Sequence, residues 1–104
     1  MAYSLKLHEE RVTRFLRNYP GLSREGRVRL FTILHADLRV LADFYRQNPD
    51  SRLVPDSDYF WHQVILKDKH GDARTRRFSF IVNDAPAAYG VLQVEYVEVT
   101  EVPS

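Results

Sequence analysis

Five basic side chains crowd one short stretch of this sequence: Lys67, Lys69, Arg74, Arg76 and Arg77. Tyr59, Trp61 and His62 stand just upstream. Ammonium and guanidinium groups bind phosphates, and aromatic faces stack on bases, so the combination points to a nucleic-acid-binding surface. Arg is the stronger choice for such contacts, because its planar fork grips phosphate or carboxylate through two hydrogen bonds. Arg77 is the favoured member, since it lies where the chain enters a run of alternating apolar residues beside Phe78. The plain alternative is a basic hairpin exposed for solubility, with Trp61 in the core.

His62 alternates with Phe60 and Val64, the pattern of a partly buried strand histidine. Opened to a groove, its imidazole would suit proton transfer. His8, His35 and His70 form no HxH, HxxxH or HExxH spacing with it, so no metal site is expected. His35 reads as a hydrogen-bonded boundary residue and His70 as a solvated hairpin tip. Asp56 and Asp58 lie in turn chemistry, where Asp bonds its own backbone. Glu95 and Glu98 fall on an acidic strand. No GxGxxG, P-loop or GxSxG motif is present, which removes the commonest nucleotide-binding and hydrolase readings, and no cofactor is expected. The chain has no cysteine, which excludes disulfides, thiolate metal sites and a thiol nucleophile.

The elements that must carry these residues follow from periodicity. Tyr3, Leu5 and Leu7 alternate with polar residues and predict a short strand. Val12, Phe15, Leu16 and Tyr19 then fall at helical spacing, and Pro20-Gly21 ends that helix. Ser23 predicts an N-cap, although Gly26 occupies the place of a capping-box Glu. The second helix runs to about Arg46, with Phe31, Leu34, Leu38, Leu41, Ala42 and Tyr45 as its stripe. Leu30, Ile33, Val40 and Phe44 widen that stripe, which predicts cover on more than one side, with a break or bend near Ala36-Asp37. Turns at 48–51 and 55–58 lead into a β-rich half. Tyr59 to Lys67 and Arg76 to Val82 read as two strands of a hairpin, with Gly71 supplying a positive φ in its loop. The last strand runs from Val91 to Val102. Its inward set of Leu92, Val94 and Tyr96 switches phase to Val97 and Val99, the mark of a bulge. The expected fold is α+β in the order β-α-α-β-β-β: two N-terminal helices packed on a twisted antiparallel sheet.

At 104 residues, 44% hydrophobic and 28% charged, the chain suits one globular domain, 1–104, with a flexible tail from about 101. The formal charge of +1 conceals an asymmetry. Seven Lys and Arg face three Glu in residues 1–29, whereas residues 81–104 hold four carboxylates and no basic group. No apolar run approaches the ~20 residues of a membrane helix, and the N-terminus lacks the apolar block of a signal peptide. The expected location is the cytoplasm, with no membrane partner.

The element order resembles the RelE/ParE toxin superfamily. The likeness spans the opening strand Tyr3–Leu7, the first helix with Arg11 and Arg14, and Gly21-Leu22-Ser23 before the second helix. It continues through Tyr59-Phe60-Trp61-His62-Gln63-Val64 and ends at Arg76-Arg77-Phe78-Ser79-Phe80-Ile81-Val82. The resemblance implies an endoribonuclease that cuts messenger RNA on the ribosome and is held by an antitoxin partner. Arg77 then matches the family's strand Arg and stabilises charge developing on phosphate, His62 moves protons, and Lys67, Lys69, Arg74 and Arg76 bind RNA. The family's C-terminal basic and Tyr or His residues have no match in Glu98-Val99-Thr100-Glu101-Val102.

Two other readings compete. One is a non-enzymatic interaction module, a homodimer assembled through its long helix or through a sheet edge built from Val97, Val99 and Val102. The other is nucleic-acid binding without chemistry.

Overall fold

Alternation of apolar residues sets β1 (Ser4–Leu7) in a computed structural model that describes residues 2–52 and 56–103. The His8 Nδ1 accepts the Arg11 N–H at 3.1 Å and so caps the next turn. Glu9–Arg14 winds as a π-helix and tightens into one α-helical turn, α1 (Phe15–Arg17). Val12 and Leu16 are buried, but Phe15 is exposed. The wider π winding rotates position i+3 away from i, which takes Phe15 off the stripe that ideal helical spacing predicts.

Helix α2 (Arg24–Gln47) begins at Ser23, whose Oγ accepts the Gly26 N–H at 2.9 Å. Its 24 residues run through Ala36 and Asp37 without the expected break, a length of roughly 36 Å at ~1.5 Å per residue. Leu30, Leu34, Leu38 and Ala42 are buried, each large side chain worth about 1.5–3 kcal/mol. Val40 is 71% exposed and Phe44 45%, so the covered stripe is narrower than the sequence predicts. A sheet covers one side of the helix, and this flank lies beyond it.

The sheet consists of β1, β2 (Tyr59–Lys67), β3 (Thr75–Asn83) and β4 (Val91–Glu101), in the order β1-β4-β3-β2. β2, β3 and β4 are antiparallel, as expected, whereas β1 runs parallel to β4. The sheet is therefore mixed, which corrects the all-antiparallel expectation. The helices carry the chain from β1 to the far edge, and the β2–β3–β4 meander brings it back beside β1. Bonds from the Ser4 N–H to Gly90 O at 2.8 Å and the His8 N–H to Val94 O at 2.9 Å fix that register. The turn at 55–58 includes Pro55, which lies outside the described residues. The chain is still anchored at Val102, whose N–H reaches Thr75 O at 3.0 Å.

Phe60, Phe78, Phe80, Val82, Leu92 and Val94 form one apolar core with the α2 leucines. The bulge predicted for β4 is present: Ile81 pairs with Tyr96, but Val82 pairs with Val94, leaving Glu95 over. Val97 and Val99 thus return to the core side. Tyr96, predicted inward, comes out on the opposite face, because the extra residue precedes it. Among the described residues no helix is long and apolar enough to cross a membrane.

Candidate nucleic-acid interface

The loop between β2 and β3 is not a free arm. Asp68, which follows β2, is buried. It accepts the Ser23 N–H at 2.6 Å, the Ser23 hydroxyl at 3.0 Å and the His70 N–H at 3.0 Å. Burial by itself pushes the Asp68 carboxyl up, but these bonds and one from the Gly71 N–H outweigh it and hold it below the usual range. In a capping box, a Glu three residues into the helix accepts the N-cap N–H. Here Asp68 supplies that carboxylate from across the chain. A Cβ on Gly26, the vacant capping-box position, would sit 2.3 Å from Asp68 Oδ2. Gly71 meets the preceding loop as closely, since a Cβ there would lie 1.9 Å from Gly21 O. Gly71 is thus required by contact, while the positive φ expected of it belongs to Ala73, at 60°.

This docking decides what the basic residues can do. The Arg76 side chain is 5% exposed and is held by Asp72, at 2.8 Å from Nη1 to Oδ1 and 2.5 Å from Nη2 to Oδ2. Its guanidinium also lies 5.3 Å over the Tyr19 ring. The hydrogen bonds from Arg76 bring the Asp72 carboxyl down to about 2. Arg74 Nη1 lies 2.9 Å from Glu101 Oε1, so the acidic final strand occupies a second of the predicted cations. Lys69 is exposed on the loop.

Cross-strand register sorts the rest. His62 pairs with Phe80 and faces the helices, where its Nε2 lies 2.8 Å from Asp37 Oδ2. Arg77 pairs with Ile65 and Thr100 on the opposite face. Directly paired residues share a face, so Arg77 and His62 are separated by the sheet itself. Lys67, paired with Thr75, joins Arg77 on the outer side. Neither Lys67 nor Arg77 has an ion-pair partner within 4 Å among the described residues.

Among the described residues no helix packs over that outer face. Trp61, Ile81 and Tyr96 make one cross-strand row, and Tyr59 follows Trp61 on the same strand face. With Arg11 and Glu95 they line an open groove of about 690 Å³. Tyr59 is 47% exposed and Tyr96 40%, far more than a core would leave them. Arg11 closes one end of the groove, its Nε donating to Glu95 O at 3.1 Å. Strand geometry puts Tyr59 and Trp61 ~7 Å apart, with Tyr96 roughly 10 Å across the sheet. Arg77 and Lys67 lie further along the same face.

Among the described residues no three His, Asp or Glu side chains come together to hold a metal ion. No family model, no curated protein and no solved structure matches the chain. The sequence reading missed Tyr96, because one bulge residue inverts its side, and Asp68 and Asp72, whose partners lie elsewhere in the chain or in the turn's geometry. Gly26 was the available signal for Asp68: a glycine where a capping Glu belongs marks a site filled from elsewhere.

Proposed function

We propose that the chain binds single-stranded RNA on the uncovered face of its sheet and holds it without cutting it. One observation carries this reading: Tyr59, Trp61 and Tyr96 share a helix-free face with Arg77 and Lys67, which have no ion-pair partner among the described residues. Exposed rings offer stacking planes of roughly 1–3 kcal/mol per base, and the cations track the phosphates. Lys6, which pairs with Gln93 on the same face, extends the positive side toward β1.

The choice of RNA comes from the RelE/ParE resemblance, as does the alternative of a messenger-RNA-cutting toxin with an antitoxin partner. That alternative requires a phosphate-binding Arg and a proton-transferring group at one phosphate. Arg77 and His62 point to opposite sides of the sheet, and Arg76 is already bound by Asp72, so the geometry favours binding over cleavage.

Trp61 is the chain's single tryptophan, so its fluorescence reports directly on the groove. Titration with a single-stranded oligouridine at low salt is expected to quench it. Affinity is expected to fall with salt, and Arg77→Ala to lower the log–log salt slope by ~0.7. No quenching, or binding indifferent to salt, overturns the proposal. Oligonucleotide shortened during the incubation restores the toxin reading.

A further inference from the structure

The two edges of the sheet differ in how they are protected. β1 is only four residues long and includes Lys6. β2 is nine residues long, with no proline, no bulge and no charge before Lys67 at its end. Edge strands of that kind pair with other chains unless something blocks them.

The hydrogen-bond phase of β2 shows which groups are open. The Asp84 N–H bonds Asp58 O at 2.8 Å, so that pair is of the hydrogen-bonded type. Tyr59, one residue on, turns its N–H and C=O outward to the Ser57 hydroxyl, both at 3.3 Å. Alternation then directs Phe60, His62, Val64 and Leu66 toward β3, and turns the N–H and C=O of Trp61, Gln63 and Ile65 outward. Those outward groups have no hydrogen bond to the rest of the chain among the described residues.

We infer that two copies of the chain join through β2, antiparallel about a two-fold axis at Gln63, into one continuous sheet. The strand is complementary to itself in that register. Trp61 faces the partner's Ile65, an aromatic against a β-branched side chain. Tyr59 faces the partner's Lys67, a ring against a cation, and Gln63 meets the partner's Gln63 amide to amide. No like charges are brought opposite one another. Every outward-turned residue meets another outward-turned residue, so the ladder closes without a bulge. Above the edge, Asp37, Val40 and Phe44 share one face of α2, and Asp37 reaches His62 of β2. The exposed Val40 and Phe44 therefore continue the apolar surface beside the strand. The occupant is a second copy because the side chains this two-fold register sets opposite one another are complementary: ring against β-branched chain, ring against cation, amide against amide. This differs from the Val97–Val99–Val102 edge expected from the sequence, since Val97 and Val99 turn toward the core and their strand lies inside the sheet.

Analytical ultracentrifugation of the full chain without RNA, up to roughly 1 mM, tests the proposal. The expected species is a dimer. Gln63→Pro removes an outward N–H that β3 does not use, and proline is tolerated at such edge positions. It is expected to weaken dimerisation roughly a hundredfold or more. Gln63→Lys, at an exposed position, brings two like charges opposite one another at the two-fold axis and is expected to weaken it to a similar degree. If the proline variant does not fold, the lysine variant decides. A monomeric wild-type chain overturns the proposal, as does a dimer that survives the substitution in a folded variant.

Discussion

Asp68→Ala tests whether the β2–β3 loop is fastened to α2 by one carboxylate. The substitution strands the Ser23 N–H, the Ser23 hydroxyl and the His70 N–H, now bonded at 2.6, 3.0 and 3.0 Å. Hydrogen bonds to a charged group contribute about 1.5–3 kcal/mol each, though water entering the vacated space recovers part of that. The expected cost is about 3–4 kcal/mol, against a total near 5–15 kcal/mol for a domain of this size. Urea unfolding should show a lower midpoint at unchanged slope.

The sharper test is a double-mutant cycle with Gly26→Glu. In the wild-type background the new Cβ collides with Asp68 Oδ2 at 2.3 Å, and stability falls by ~1–3 kcal/mol. In the Asp68→Ala background the same Glu has room to accept the Ser23 N–H as an ordinary capping box, and stability should rise by about 1 kcal/mol. Opposite signs in the two backgrounds are the prediction. The same sign in both, or a cost for Asp68→Ala below ~1 kcal/mol, refutes the shared-cap argument.

Three further outcomes follow from the same geometry. Arg76→Ala should cost about 2–3 kcal/mol, because it empties the space of a side chain that is 5% exposed and lies over the Tyr19 ring, whereas Arg77→Ala should stay within ~0.5 kcal/mol; equal effects in thermal melts would contradict the face assignment. Gly71→Ala should cost about 1–3 kcal/mol through its collision with Gly21 O, and unchanged stability would show that the loop can lift away. The Asp68 and Asp72 carboxyls both titrate below their unfolded value near 4, so the unfolded chain binds more protons as pH falls. Their stabilisation is complete above that value and is lost as pH falls below it, for Asp72 through about 2; denaturation midpoints that do not move between about pH 5 and 3 would refute it.

Much of the positioning was legible along the chain. The alternation of Phe60, Val64 and Leu66, and of Phe78, Phe80 and Val82, assigned the core face, because strand side chains alternate sides whatever they pack against. It also placed Arg77 and His62 on different sides of their strands, although not on different sides of a shared sheet until the register joined them. Ser23 marked its cap through local bonding alone. The conformation near Glu95, by contrast, depended on the partner strand: only pairing to β3 shows where the extra residue falls, and that turns Tyr96 outward into the groove with Trp61. The availability of the cations was likewise a tertiary matter. Charge in the sequence counts residues, but whether a guanidinium can take a ligand depends on which carboxylate lies within ~3 Å of it. Asp72 and Glu101 reach Arg76 and Arg74 only once the loop docks and the last strand arrives, leaving Arg77 and Lys67 on the uncovered face with no ion-pair partner among the described residues.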